Sequence, residues 1–343
     1  LLAVKKNLQR WIPAAVVPVV IAAAAVAVPA VANAAPNLPE RSPQQLLELV
    51  ADSAGTPFSG TIEQTSALGL PDVSSLAPGG DGDSVSSALE LITGSHTANV
   101  FVGGPTTQRI QLLDGFTERD LIRNGDSVWL YDSDAKEATH LTGSTGLPAS
   151  PSITPAEAAE KLLAAIDPST EVEVVDTARV AGRAAYELRL TPDDADTLVG
   201  SAVLSVDAET GLPLAATITA KGESEPAFSV RFSEIDFDAP DASLFEFTPA
   251  SDVTVEEETL EGHAPDAAAT ATPEPAVVGD GWDAVLVIPA GTPLSDPLID
   301  QLTTKVDGGR VLGTALVSVL LADDGRVLVG AVTPQHLEAV AAQ

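Results

Sequence analysis

Apolar and polar positions alternate along much of this chain with the period of two that marks half-buried strands. Phe58, Gly60, Ile62 and Gln64 fall on one side of an extended segment, and Ser59, Thr61 and Glu63 fall on the other. Further strands are predicted over 97–102, 108–113, 117–123, 127–132 and 138–141. Between the third and fourth of this run stands Asn124-Gly125, the strongest hairpin signal in the chain. Strands resume at Glu171. Ala184, Tyr186, Leu188 and Leu190 alternate with Arg183, Glu187 and Arg189, as they do where one sheet face is buried. Ala202, Leu204 and Val206, then Leu214, Ala216 and Ile218, repeat the pattern. In the last strand of this group Phe228, Val230 and Phe232 share one parity, while Ile235 and Phe237 share the other. That switch predicts a one-residue bulge near Ser233-Glu234.

Helical spacing interrupts the strands at three places. Ser42-Pro43-Gln44-Gln45 combines an N-cap, a proline at the first helical position and a capping-box glutamine. Leu46, Leu47, Val50 and Ala51 then share a face, and Gly55 ends the helix. A Pro-, Gly- and Asp-rich loop over 70–83 leads to a short helix over 84–92. Thr154-Pro155-Ala156-Glu157 is a second capping box, opening a helix that runs to Ile166. Consecutive strands joined by tight turns make an antiparallel sheet. The predicted fold over 38–250 is α+β: a curved antiparallel half-barrel with helices covering its concave face. From 251 to 277 the composition turns to Glu, Ala, Thr and Pro, which reads as an acidic disordered linker. A small α+β module is expected over 278–343, with a strand at 284–288, a helix at 293–305, strands at 311–321 and 326–332, and a helix at 334–342.

The first 34 residues are of another kind. Lys5, Lys6 and Arg10 precede an almost unbroken apolar run from Trp11 to Ala32, which closes on Ala32-Asn33-Ala34. Basic cluster, apolar run and small-residue site in that order describe a secretory signal peptide, and the length of the run also suits an N-terminal anchor. Either reading places the remainder in the extracytoplasmic cell envelope, secreted or tethered.

The formal net charge of −32 changes the list of partners. Phosphate backbones demand basic patches, so nucleic acid is excluded, and anionic lipid headgroups are disfavoured. The chain has no Cys, which removes thiol catalysis and Cys-ligated metals. His96, His140, His263 and His336 have no metal-ligand spacing, and no G-x-S-x-G elbow surrounds any serine. The acidic loops 79–83 and 193–196 do not match a calcium loop. No cofactor is expected, and the protein reads as non-enzymatic.

Two segments resemble a known family. Asp207-Ala208-Glu209-Thr210-Gly211-Leu212-Pro213-Leu214 is similar to the D-x-x-T-G-L-P-L hairpin of the LolA/RseB-like superfamily. Phe237 to Pro249, with Phe245-Glu246-Phe247-Thr248-Pro249, resembles its closing segment, and the helix bearing Leu46, Leu47 and Val50 resembles its first helix. The likeness spans roughly 40–255, is of the actinobacterial type, and leaves the C-terminal module outside. It implies a half-barrel whose mouth is covered by helices. In the carrier branch the hollow holds lipoprotein acyl chains; the RseB/MucB branch contains sensors that touch an anti-sigma factor.

The candidate site residues are the large side chains of the sheet: Phe101, Phe116, Leu121, Trp129, Tyr131, Tyr186, Leu188, Phe228 and Phe232. Each taken alone is ordinary core. Together, under loosely fitting helices, they would line a hollow for acyl chains, each buried methylene contributing about 0.8 kcal/mol. Trp129 and Tyr131 lie on one face and suit a cavity mouth. The expected partner is a lipid or an acylated lipoprotein. The alternative is an envelope sensor that docks to a membrane protein, an anti-sigma factor or a transporter.

Overall fold

The computed structural model describes residues 36–53, 55–69, 95–114, 117–143, 170–259, 276–290 and 302–343. The segment read as a signal or anchor and the helices expected at 84–92 and 154–166 lie outside these residues.

The opening helix, α1, spans Pro43–Asp52 and carries the predicted capping box: Gln45 N–H donates to Ser42 Oγ, and Ser42 N–H donates to Gln45 Oε1. Its buried residues are Leu46 and Leu47. Eleven strands then follow in antiparallel pairing: β1 Phe58–Ser66, β2 His96–Gly104, β3 Thr107–Asp114, β4 Thr117–Asn124, β5 Ser127–Asp132, β6 Glu137–Thr142, β7 Thr170–Val180, β8 Arg183–Pro192, β9 Val199–Asp207, β10 Pro213–Ala220 and β11 Pro226–Asp236. With β12, Thr254–Thr259, they form one twelve-stranded sheet in the order β12-β6-β5-β4-β3-β2-β1-β11-β10-β9-β8-β7. Two meanders, β1–β6 and β7–β11, are joined where β11 pairs with β1. The bulge expected near Ser233 is there: Thr61 pairs with Glu234 and Ile62 with Phe232, so Ser233 is the extra residue.

Three expectations are corrected. The stretch 251–277 contains β12, which pairs with β6 in parallel from Thr254↔Glu137 to Thr259↔Thr142, and β13, Ala276–Val278. A run of three glutamates is a poor strand by composition, but β6 offers an open edge whose backbone groups need partners. Residues 260–275 lie outside the described set. The strand expected over 311–321 is two strands, β16 Gly309–Gly313 and β17 Ser318–Ala322. Thr314 makes the turn between them, its Oγ accepting from the N–H groups of Leu316 and Val317.

These strands belong to a second, six-stranded sheet in the order β13-β14-β18-β17-β16-β15, with β14 Val285–Ile288, β15 Thr304–Val306 and β18 Val327–Gly330. The end of the helix expected at 293–305 is therefore β15. Helix α2, Pro334–Ala341, packs Leu337 and Val340 on Val285, Val311, Leu320 and Leu328. The two sheets meet through backbone hydrogen bonds, Leu198 N–H to Ala331 O at 2.8 Å, Thr333 N–H to Asp196 O at 2.8 Å and Ala315 N–H to Leu68 O at 2.9 Å. Leu68, Val199, Ala220 and Ala227 of the first part pack with Leu316 of the second to close a shared core.

Candidate functional site

One face of the large sheet is apolar from β6 to β8. Val100, Ile110, Leu121 and Leu130 are paired across β2 to β5, and Leu188, Leu204, Ala216 and Val230 across β8 to β11. All eight are buried. Phe232 and Phe58 meet edge to face on this side, with ring centroids 5.7 Å apart. Gly60 makes room for them: a methyl there would lie 2.8 Å from Phe232 Cδ1 and 2.5 Å from Glu234 O.

Eight of the nine residues singled out from sequence can be placed; Phe116 lies outside the described residues. They fall into three groups. Leu121, Phe228 and Phe232 join the core built on Ile62, Val100 and Val230. Tyr186 and Leu188 are packed under α1 by Leu46 and Leu47, and Tyr186 donates its hydroxyl to Pro39 O at 2.8 Å. Phe101, Trp129 and Tyr131 belong to the opposite face, as their register with Arg109, Ile122 and Asp120 requires. On the apolar face the gap between Ile62, Leu214, Ala216, Val230 and Phe232 is about 10 Å³, enough for a single water.

The opposite face carries the more polar chemistry. The closing segment runs across it, burying Phe245 and laying Phe247 at 5.3 Å from both Trp129 and Tyr131. A groove of about 260 Å³ remains between Asn124, Ser127, Trp129, Phe245, Glu246 and Phe247. Trp129 stacks flat on His140, with centroids 4.0 Å apart and planes 4° apart. The imidazole is held at both nitrogens, by Ser127 Oγ at Nε2 and Glu257 Oε2 at Nδ1, each at 2.8 Å. Nearby, burial pushes the Asp120 carboxyl up to about 7 against the pull of its ion pair with Arg109, and Glu118 adds to the rise. Asp120 Oδ1 has no partner in the described network.

The D-x-x-T-G-L-P-L turn is built around a buried carboxylate. Asp207 is fully buried and Oδ1 accepts from the N–H groups of Glu209 and Thr210 and from Thr210 Oγ. Arg183 adds a two-pronged contact, Nε to Oδ2 at 2.8 Å and Nη2 to Oδ1 at 2.9 Å. Burial alone would raise the Asp207 carboxyl; the Arg183 and Thr210 hydrogen bonds outweigh it and hold the group below its usual range. Gly211 and Leu212 then lead into β10 beneath α1.

Sequence reasoning missed Ser127, His140, Glu257, Arg109 and Asp120. The pairing of Trp129 with His140 follows from counting the β5–β6 hairpin, but the meeting with Glu257 depends on a parallel strand 117 residues further on. Among the described residues no three His, Asp or Glu side chains gather as a metal site, and no helix is long and apolar enough to cross a membrane.

No curated protein sequence matches the chain. Solved structures similar to it include the Pseudomonas aeruginosa MucA/MucB complex, at 17% identity over 87% of this chain and 96% of that one, with a TM-score of 0.46. A LolA-superfamily protein from Nitrosomonas europaea matches at 13% identity, 61% and 99% coverage and a TM-score of 0.24. LprF from Mycobacterium bovis matches at 10% identity, 61% and 96% coverage and a TM-score of 0.30. The model of the MucB/RseB N-terminal domain matches residues 84–259, just over half of the sequence, from ahead of β2 to the last residue of β12. The chain belongs to the MucB/RseB family.

Proposed function

We propose that this is an exported, non-catalytic binding protein of the cell envelope that acts as a regulator, docking to the extracytoplasmic part of a membrane protein such as an anti-sigma factor. One observation carries the choice of regulator over shuttle. Two spots on the apolar face are close-packed by the chain's own side chains: Leu46 and Leu47 sit on Tyr186 and Leu188, and the gap beside Phe232 holds about 10 Å³. A carrier would need a void wide enough for an alkyl chain. The firm seating of the second sheet on the half-barrel supports a scaffold of fixed shape, and the P. aeruginosa relative is described in complex with MucA. The leader-like residues 1–34 support export.

The second reading is a carrier of lipid or of an acylated lipoprotein, favoured by the apolar residues that share one face across β2 to β5 and β8 to β11. There Leu121, Tyr186, Leu188, Phe228 and Phe232 would follow the acyl chain, with Phe101, Trp129 and Tyr131 on the outside. Native mass spectrometry of the full chain purified from its own envelope separates the two. A stoichiometric complex with the extracytoplasmic segment of a membrane-anchored regulator, free of lipid, is the expected result. A stoichiometric lipid without a protein partner would replace the regulator with the carrier.

A further inference from the structure

The groove on the face opposite the apolar one has fixed walls. Strand β4 gives it Asn124, β5 gives it Trp129, and the closing segment gives it Glu246 and Phe247. Phe245 anchors that segment: it is buried, and its Cε2 lies 3.0 Å from where a methyl on Gly103 would begin. Trp129 is backed on its β6 side by His140, stacked at 4.0 Å. His140 does not line the groove, so the β4 side of the indole is left to it. Phe247 leans at 55° to that indole, 5.3 Å away. Walls already in place spare a ligand much of the cost of ordering them.

The polar groups of the groove are not spent on the fold. Asn124 and Glu246 are both exposed, and neither side chain has a hydrogen bond or ion pair among the described residues. Among the described lining residues there is one carboxylate and no Lys or Arg.

Size and chemistry narrow the occupant. A volume of about 260 Å³ falls below the roughly 300–1,000 Å³ of sites for drug-sized ligands, so it suits one side chain. Aromatic faces attract cations, and Glu246 adds charge of the matching sign. An apolar side chain would cover Asn124 and Glu246 without giving them partners. A carboxylate would be repelled. An ammonium is a strongly hydrated point charge, whereas a guanidinium lies flat on a ring and donates in its own plane.

We propose that this groove receives an arginine side chain of the protein partner, its guanidinium on the Trp129 ring and its N–H groups shared between Glu246 and the Asn124 carbonyl. This names a contact chemistry for the regulator reading and rests on that reading for the source of the arginine.

Titration of the full chain, with its tryptophan indoles labelled with nitrogen-15, by acetyl-Gly-Arg-Gly-amide tests this. The Trp129 Nε1–H signal, assigned by its loss in Trp129→Phe, should move and saturate with a Kd on the order of millimolar, as suits one side chain. The Trp282 signal, held by Thr170 Oγ1 at 2.7 Å, should stay in place and report an intact fold. Citrulline in place of arginine, neutral but of the same shape, should bind about fivefold more weakly or worse, and lysine about two- to fivefold more weakly. Glu246→Gln, a change at an exposed position, should weaken the arginine peptide about two- to fivefold. A Trp129 signal that does not move and saturate overturns the proposal. So does a citrulline or lysine peptide that binds as tightly as the arginine peptide, or an affinity unchanged in Glu246→Gln. The titration uses the chain without a partner, so its failure is distinct from that of the regulator reading, which falls if a stoichiometric lipid replaces the protein partner in the mass spectrum.

Discussion

The backbone oxygen of Leu49 occupies the space where a side chain on Gly211 would begin: a Cβ there would lie 2.0 Å from it. Gly211 also has φ of 77°, a conformation that costs other residues about 1–2 kcal/mol. The glycine of the T-G-L-P turn is thus the seat of α1. Gly211→Ala is expected to lower stability by about 2–4 kcal/mol, combining strain and collision. A urea melt gives the size. Exchange of the α1 amides shows whether the helix has lifted.

Arg183 and Asp207 make the second test. Replacing Arg183 by Met leaves a carboxylate buried without its cation, a change that costs about 3–5 kcal/mol in such sites. The pair also predicts a pH dependence. The Asp207 carboxyl is held below its unfolded value, so its contribution is present above about pH 4 and is lost as pH falls through the lower folded value. Stability measured from pH 5 to pH 2 should therefore fall less in Asp207→Asn than in the unaltered chain.

Asp120 should behave in the opposite sense. Its folded carboxyl, pushed up to about 7, binds a proton that the unfolded chain has released by then. Between about pH 4 and 7 the folded state holds more protons, so this group makes stability decline as pH rises. Asp120→Asn should remove that slope. Chemical melts at pH 5 and pH 7.5 provide the comparison.

Leu316 tests the union of the two sheets. It is buried against Leu68, Val199, Ala220 and Ala227, and Leu316→Ala is expected to cost about 2–4 kcal/mol. Because the lost contacts lie between the sheets, calorimetry should show one transition for the unaltered chain and two for the variant.

Much of this architecture was readable from local pattern. The α1 cap, the Asn124-Gly125 hairpin, the strands of both meanders and the Ser233 bulge follow from period, turn chemistry and parity, all of which act over a few residues. Alternation also places Trp129 and Tyr131 together on one face, but it does not say which face is concave. Their neighbours Asp120 and Ile122 are known only once β4 is in register. Glu257 was hidden for a stronger reason. Three adjacent glutamates have no strand preference of their own; they become a strand because β6 needs an edge partner. The split at Thr314 was likewise concealed inside a mostly apolar run, where only Gly313-Thr314 reports the turn.

The two outermost strands of the large sheet share a property. On β7, Glu171, Glu173 and Asp176 stand outward, and β12 bears Glu256, Glu257 and Glu258. Two molecules drifting together rim to rim would press carboxylate against carboxylate before any ladder could form between them. In a crowded compartment this molecule is thereby built to resist stacking with its own copies.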